Sequence, residues 1–307
     1  MSDRVWFITG ASRGFGRVWA DAALKRGDKV AATARVVTGV SDLVERYGDA
    51  VLPLTLDVTD VAQVKNAVAQ AHAHFGKLDV VLNNAGYALV AAVEEATEAD
   101  IRAEFDTNFM SAVRVIQAAL PILRQQGSGH VIGVSSVAGL VASPITGFYH
   151  ASKWAFEALH ESLAHEVRAF GVKVTLLEPG PYATEFASQT SLKLAAGIDA
   201  YADLKRQVFA SSANIDFGDP RATTDAIFGS WTLRIRPFDF FWARKDCRPY
   251  EPRTPTDSPR GKRGRPCGMP PRARRRGRPS RSDRRHRTTR TVSTRWEAGS
   301  ARPVVDA

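Results

Sequence analysis

Short apolar runs alternate with longer segments of helical periodicity over the first 180 residues of the chain. Runs that are apolar almost throughout are typical of strands buried on both faces of a parallel sheet. The predicted strands are Val5–Thr9, Lys29–Ala34, Val51–Leu56, Asp79–Leu82, His130–Ser135 and Lys173–Leu177. The pattern predicts an α/β fold, with a doubly wound parallel sheet in a single domain over residues 1–229.

Helical periodicity fills the segments between these strands, as expected when helices cover both faces of the sheet. The predicted helices are Gly16–Arg26, Ser41–Tyr47, Val61–Phe75, a long one from about Glu98 to Gln125, and Tyr149–Phe170. Residues 185–209 are rich in Ala and Leu and are predicted to form one or two further helices. Asp219 and Pro220 begin a last helix that runs toward Phe228, because proline suits the first position of a helix.

The regular pattern ends at about Gly229, and residues 230–307 form a tail rich in Arg, Pro, Gly, Ser and Thr. Residues 231–307 carry 22 Lys and Arg against 7 Asp and Glu, whereas residues 1–230 carry 20 against 25. The net charge of +10 therefore belongs to the tail. Such a composition buries too little apolar surface to order itself, so the tail is predicted to be disordered.

Three interpretations of this tail stay open. Its arginine clusters could neutralise nucleic-acid phosphates, it could be a solvated segment with no partner, or it could be a frameshifted reading of an ordinary C-terminus. We favour the frameshift, because reading residues 229 onward from the third base of each codon, with G/C-rich codons, yields Val-Val-Asp-Ala-Pro-Asn-Pro-Pro-Leu-Arg-Leu-Leu-Leu-Gly. This segment contains a proline-rich turn and an apolar strand, and on this interpretation no specific nucleic-acid partner is expected.

Several classes of protein are not indicated by the sequence. No apolar run reaches the roughly 18–20 residues that a membrane span needs, and the first residues do not form a secretion signal. The two cysteines, Cys247 and Cys267, form neither a disulfide framework nor a metal-binding spacing. A cytoplasmic protein without a metal site or membrane contact is predicted.

A glycine-rich loop from Thr9 to Gly16 lies between the first predicted strand and the first helix. Gly10, Gly14 and Gly16 permit a tight turn and a close approach of the backbone to a pyrophosphate, and the helix N-terminus adds partial positive charge. With the next strand also in place, the loop predicts a Rossmann-type dinucleotide-binding fold.

The end of the second strand bears on the choice of cofactor. A cofactor with a free ribose 2′-hydroxyl favours an acidic residue there, but the chain has Arg35. Together with Arg13 in the glycine loop, Arg35 could bind a 2′-phosphate, which favours NADP(H) over NAD(H). The alternative is two solvated surface arginines. Asp57, followed by Val58, could accept the adenine amino group, or it could cap the next helix, a role that Asp60 fits better.

Tyr149 and Lys153 lie four residues apart in a predicted helix and therefore on one face of it. An ammonium near a phenol stabilises the phenolate and lowers the pKa of the phenol. Such a phenol can pass a proton to or from a substrate oxygen. Taken alone, the pair also fits an ordinary solvated helix face.

Six motifs together resemble the short-chain dehydrogenase/reductase family over about residues 4–228. They are the T-G-x-x-x-G-x-G loop at Thr9 to Gly16, N-N-A-G at Asn83 to Gly86, the helix asparagine at Asn108, the serine at Ser136, Y-x-x-x-K at Tyr149 to Lys153, and P-G-x-x-x-T at Pro179 to Thr184. Their order and spacing make the resemblance specific.

The resemblance implies a role for each catalytic candidate. Tyr149 is the general acid/base, and Lys153 lowers its pKa and bonds the nicotinamide ribose. Ser136 holds the substrate oxygen, and Asn108 orders a water that relays protons. The expected cofactor contacts are Gly10, Ser12, Arg13, Gly14, Phe15, Gly16, Arg35, Asp57, Val58, Asn84, Ala85, Gly86, Tyr149, Lys153, Pro179, Gly180 and Thr184.

The implied reaction is reversible hydride transfer between a nicotinamide cofactor and a carbonyl or secondary alcohol. Residues 185–215 resemble the substrate-binding loop of the family, and their apolar side chains predict an apolar small-molecule substrate. The family completes its sheet with one more strand, which also helps to build contacts in a homo-oligomer, so oligomerisation of this chain stays open. The alternative functions are a non-catalytic cofactor-binding regulator and nucleic-acid binding through the tail.

Overall fold

The computed structural model describes residues 3–187, 191–213 and 215–229. Its centre is a six-stranded parallel sheet with the order β3-β2-β1-β4-β6-β7. These strands are β1 (Val5–Ile8), β2 (Lys29–Ala34), β3 (Val51–Thr55), β4 (Val80–Asn83), β6 (Gly129–Val134) and β7 (Val172–Leu177). The prediction of a doubly wound, Rossmann-like sheet is confirmed.

Helices cover both faces of this sheet. They are α1 (Gly14–Lys25), α2 (Ser41–Tyr47), α3 (Val61–Phe75), α4 (Glu98–Phe105), α5 (Ser111–Gln126), α6 (Gly147–Glu166), α7 (Ala202–Ala213) and α8 (Thr224–Gly229). Alternate residues of β1 enter different cores: Phe7 packs with α3 and α5, and Trp6 packs on the opposite face with α1. Both faces of a central strand are therefore buried, which explains its nearly continuous apolar run.

The long helix predicted from about Glu98 to Gln125 is interrupted in the structure. A π-helical turn at Asp106–Met110 separates α4 from α5. A turn with an extra residue changes the direction of the side chains on it, and such turns are frequent at functional sites. Here the buried Asn108 side chain bonds both backbone groups of Tyr87, with its Oδ1 3.0 Å from the Tyr87 nitrogen and its Nδ2 2.8 Å from the Tyr87 oxygen.

The prediction of helices throughout residues 185–209 is wrong in part. Among the described residues of this region only α7 is an α-helix, after a 3₁₀ turn at Glu185–Ala187 and a short strand, β8 (Leu192–Leu194). β8 pairs in parallel with β5 (Ala88–Val90), which was also not predicted. β8 can pair with β5 because β5 lies outside the main sheet. The backbone groups of β5 are therefore available for hydrogen bonds with β8.

Residues 215–229 return the chain to the sheet face beside α1. Asp219 accepts a hydrogen bond from the Arg221 nitrogen at 2.9 Å and begins a 3₁₀ turn that leads into α8. Among the described residues β7 pairs only with β6, and the predicted tail at 230–307 lies outside them. No helix in this described part of the chain is both long and apolar enough to cross a membrane.

Candidate active site

The glycine loop is shaped by contacts that leave no room for side chains. Gly10 and Gly14 have φ values of 69° and 57°, a region that favours glycine. A Cβ atom at Gly16 would lie 2.4 Å from the Gly10 oxygen and 2.5 Å from Asn84 Nδ2. The loop is therefore a cradle of backbone at the N-terminus of α1, and its form fits a pyrophosphate group.

A second loop is fastened to the glycine loop by hydrogen bonds. Thr9 Oγ1 accepts from the backbone nitrogens of Asn84 at 2.9 Å and Ala85 at 3.1 Å. The Asn84 side chain donates to the backbone oxygens of Thr9 at 2.8 Å and Gly10 at 3.1 Å. The structure thus brings the predicted cofactor residues Asn84 and Ala85 against Gly10, and the two loops hold each other in place.

The side chains expected near the adenine lie at the ends of β2 and β3. Arg35 is exposed. The pKa of Asp57 is lowered, first by hydrogen bonds from Thr59 and further by the charge of Arg35. Asp60 accepts from the nitrogens that begin α3, so the helix cap is Asp60, as predicted. The Val58 side chain is buried in the apolar core.

Three of the four predicted catalytic residues meet beside this cradle. The Ser136 hydroxyl lies close enough to the Tyr149 phenol to lower its pKa. Lys153 Nζ donates to the Val134 oxygen at 2.9 Å and lies 5.9 Å from the centre of the Tyr149 ring. Tyr149 and Lys153 are 9% and 5% exposed, so the interpretation of this pair as a solvated helix face is wrong.

Asn108, the fourth predicted catalytic residue, joins the same cluster from the π turn. Its Nδ2 donates to Ser152 Oγ at 3.0 Å, next to Lys153 in the chain. A Cβ atom at Gly86 would lie 3.1 Å from Asn108 Oδ1 and 3.8 Å from Lys153 Nζ. Gly86 therefore allows the backbone of this loop to pass close to both side chains.

Burial dominates the electrostatics of this cluster. It raises the pKa of Tyr149 to about 12, against the hydrogen bond from Ser136, and the charge of Glu104 raises it further. Burial also lowers the pKa of Lys153 to about 8, against the charges of Glu157 and Glu104. The pKa of the phenol is therefore raised, not lowered as expected from Lys153, and desolvation is the largest cause.

Residues 182–187 lie across both the cradle and the four predicted catalytic residues, which together are called the catalytic cluster below. The Glu185 carboxylate accepts from the Gly14 nitrogen at 2.9 Å, and Thr184 lies close to the same glycine. The Phe186 and Tyr149 rings are 5.7 Å apart. Pro179 is fixed beside Ser136, because its oxygen accepts from the Val137 nitrogen at 3.2 Å. The P-G-x-x-x-T segment is thus placed next to the glycine cradle at one end and next to Ser136 at the other.

Glu178, the residue that follows β7 and precedes this segment, has a further buried carboxyl. It is 2% exposed, and neither of its oxygens has a hydrogen-bond partner among the described residues. Desolvation raises its pKa to about 8, and the charges of Glu157 and Glu161 add to the effect. Because the unfolded value is about 4.3, the folded state binds more protons between these pH values, and the free energy of unfolding falls as pH rises.

Glu178→Gln is expected to remove this pH-dependent loss of stability. At about pH 9 the free energy of unfolding rises by on the order of 5 kcal/mol, and near pH 4 it changes little, because Glu178 is then mostly neutral in both states. Urea unfolding at several pH values measures the difference. Glu45→Gln, at an exposed carboxylate, serves as the control and should show no such trend. An equal effect of Glu178→Gln at both pH values contradicts the prediction.

Sequence reasoning missed three residues of the site. Glu104 is a buried carboxyl on α4, Glu185 bonds the cradle, and Phe186 packs on Tyr149. Phe186 lies in the predicted substrate loop, but its contact with Tyr149 was not predicted. A glutamate on a helix ordinarily indicates a solvated position, so no signal in the sequence identified Glu104 or Glu185.

Comparisons with known proteins agree with this geometry. A family model described as short chain dehydrogenase matches residues 4–195. Oxidoreductase BOA17 of Botryotinia fuckeliana is 44% identical over 219 residues, which are 69% of this chain and 80% of that protein. 3-Ketodihydrosphingosine reductase of Bacteroides thetaiotaomicron is 37% identical over 204 residues, or 66% of this chain and 73% of that protein.

A solved structure is similar as well. The crystal structure of a short-chain dehydrogenase from Streptomyces avermitilis has a TM-score of 0.70 at 37% identity, covering 76% of this chain and 85% of that chain. Together, the fold and these similarities to known proteins define an oxidoreductase that acts on CH–OH/C=O pairs with NAD(P). The chain belongs to the short-chain dehydrogenase/reductase family.

Proposed function

We propose that the protein is an NADP(H)-dependent carbonyl reductase or alcohol dehydrogenase for apolar small molecules, with Tyr149 as the general acid/base. The observation that carries the proposal is the meeting of the half-buried Ser136 with the buried Tyr149, Lys153 and Asn108 beside the glycine cradle. A residue set of this kind has no evident structural purpose, since burying a lysine and a phenol costs free energy. Its presence favours a catalyst over a non-catalytic regulator.

The bound cofactor supplies or accepts the hydride at the substrate carbon. In the direction of reduction, the Ser136 hydroxyl bonds the carbonyl oxygen, and Tyr149 donates its proton to that oxygen as the carbon gains the hydride. The alcohol forms and Tyr149 is left as the phenolate. The Lys153 ammonium then lowers the cost of the phenolate charge, and Asn108 keeps the neighbouring backbone in place.

The proposed substrate is apolar because of the apolar side chains that the predicted substrate loop places beside Tyr149. Leu192 packs against the cluster of Ala88, Ala138 and Tyr149. Phe186, whose ring contacts that of Tyr149, is 37% exposed. Apolar side chains beside Tyr149 suit an apolar molecule, and the reductase from Bacteroides thetaiotaomicron, by its name, reduces a ketone.

The preference for NADP(H) rests on Arg13 and Arg35. Arg13 is the residue immediately before α1, and Arg35 follows β2, so both lie at the carboxyl edge of the sheet. Arginine binds phosphate bidentately, and no acidic residue occupies the end of β2 to bind a free 2′-hydroxyl. A 2′-phosphate between two guanidinium groups is the arrangement that this charge pattern supports.

Arg35→Ala is expected to weaken NADPH binding roughly 10-fold, because a hydrogen bond to a charged group contributes about 1.5–3 kcal/mol. NADH affinity should change little, since NADH has no 2′-phosphate. Titration of nicotinamide fluorescence measures both affinities, and Arg102→Ala, at an exposed arginine on α4, is the matched control. The wild type should also oxidise NADPH with apolar ketones. Equal NADPH and NADH affinities would contradict the cofactor preference, and tight NADPH binding without turnover would favour the regulator.

A further inference from the structure

Glu104 has a fully buried carboxyl near the C-terminal end of α4 and is 0% exposed. Its Oε1 accepts from the Leu89 nitrogen at 2.9 Å, and its Oε2 has no hydrogen-bond partner among the described residues. An unpaired carboxyl oxygen in the interior costs free energy. The residues already assigned to the reaction do not explain why an acid is kept in this position.

The contacts of Glu104 lead to the catalytic cluster. Leu89 lies in β5 next to Ala88, which packs against Tyr149. Four residues after Glu104, Asn108 bonds the backbone of Tyr87 at the start of the same segment. Glu104 and Asn108 therefore hold residues 87–89 from one side, and the Tyr149 ring packs against this segment from the other.

The charge of Glu104 also acts on the ionisable groups around it. It raises the pKa of Tyr149 and opposes the lowering of the pKa of Lys153, both of which lie on α6. The pKa of Tyr87 is raised first by burial and then by the charges of Glu104 and Asp100, and Asp100 is itself paired with Lys193. Burial raises the pKa of Glu104 itself to about 7, against the Leu89 hydrogen bond and the charge of Lys153.

We propose that Glu104 is a positioning residue that holds β5 against Tyr149 and, through its charge, sets the pH at which Tyr149 exchanges its proton. The inference rests on the proposed role of Tyr149 as general acid/base. When Glu104 is a carboxylate, formation of the Tyr149 phenolate is disfavoured. When Glu104 is protonated, the Tyr149 phenolate forms at lower pH. The protonation state of Glu104 therefore controls that of Tyr149.

Glu104→Gln separates the charge from the packing, because glutamine keeps the oxygen that accepts from Leu89. Alcohol oxidation requires the phenolate, and carbonyl reduction requires the phenol. With the charge of Glu104 removed, two parts of the pH profiles of kcat/KM should move to lower pH. They are the acid limb of the profile for oxidation and the basic limb of the profile for reduction. A unit charge several ångströms away, in a medium of intermediate dielectric, shifts a pKa by on the order of 0.5–1 unit. On the acid limb, kcat/KM for oxidation should then rise about 3- to 10-fold.

Glu98→Gln is the matched control, because Glu98 lies on the same helix with its side chain 77% exposed. Its pH profiles should coincide with those of the wild type. Infrared difference spectra of wild type minus Glu104→Gln give a readout independent of turnover: a protonated carboxyl band should disappear as pH rises through about 7. Tyr149→Phe distinguishes the two proposals, since full activity in that variant would overturn the role of Tyr149 itself.

If Tyr149→Phe is inactive and the Glu104→Gln profiles match those of the wild type, the inference about Glu104 is wrong while the proposed function stands. A shift of both limbs to higher pH also overturns it, because loss of a negative charge cannot disfavour a phenolate. Downward shifts in both directions, absent from Glu98→Gln, support it.

Discussion

Tyr149→Phe is expected to lower kcat/KM for carbonyl reduction by about 10³-fold, because general acid catalysis contributes roughly 10²–10⁴-fold. Phenylalanine keeps the ring that packs against Ala88 and Ala138 and contacts Phe186, so the shape of the site is retained. Only the hydroxyl beside Ser136 is lost. The affinity for NADPH should change much less than the rate, because the glycine cradle does not depend on the phenol.

Steady-state rates with an apolar ketone, together with fluorescence titration of NADPH, measure the two quantities separately. Tyr47→Phe is the matched control: its hydroxyl also bonds another side chain, Asp21 at 3.0 Å, but it lies on α2 away from the cluster. The control should keep full activity. A Tyr149→Phe variant that retained most of its kcat/KM would remove Tyr149 from the chemistry, and the intact cluster would then need another explanation.

The order of strands and helices could be predicted from the sequence because burial is visible in it. Both faces of β1 are covered, so the run from Val5 to Ile8 is apolar at every position. The helix cap at Asp60 could also be predicted, because its chemistry is local and depends on the next three residues. Where local preference and tertiary packing agree, a sequence pattern is sufficient.

The elements that were missed depend on long-range contacts. β5 and β8 have three residues each, too short for an alternating pattern, and they pair across about a hundred residues of chain. The π turn at Asp106–Met110 is stabilised by the hydrogen bonds between the Asn108 side chain and the Tyr87 backbone. Hydrophobic periodicity in the sequence cannot indicate such a contact. The predicted substrate loop at residues 185–215 therefore differs from its prediction more than the sheet does, because its conformation depends on the segment that it packs on.

The meeting of the catalytic residues could be predicted, but their electrostatic state could not. The spacing of Tyr149 and Lys153 placed them on one helix face, and this led us to expect a lowered phenol pKa. In the structure both side chains are buried, and desolvation raises the phenol pKa and lowers that of the lysine. The buried carboxyl of Glu104 adds to the first effect and opposes the second. The extent of burial, which a sequence motif does not indicate, therefore decides the pKa values of the two side chains.

Gly16→Ala is expected to weaken NADPH binding about 10- to 100-fold, although it adds a single methyl group. The new Cβ would lie 2.4 Å from the Gly10 oxygen and 2.5 Å from Asn84 Nδ2. Real Cβ atoms do not approach backbone so closely, so one of the two loops has to move. Overpacking of this kind costs about 1–3 kcal/mol, and the cost should appear in both cofactor affinity and the free energy of unfolding.

The clash has no inexpensive relief, because both atoms that meet the new methyl group are themselves bonded. Asn84 Nδ2 donates to the oxygens of Thr9 and Gly10, and the Gly10 backbone forms the cradle. Fluorescence titration of NADPH and urea unfolding test the two effects. Gly147→Ala, at a position with nothing within 4 Å of the added atom, is the control for a glycine-to-alanine change in a helix and should alter neither quantity adversely. Unchanged NADPH affinity in Gly16→Ala would mean that the cofactor does not bind in this cradle, since a loop displaced by the methyl group cannot keep the same contacts.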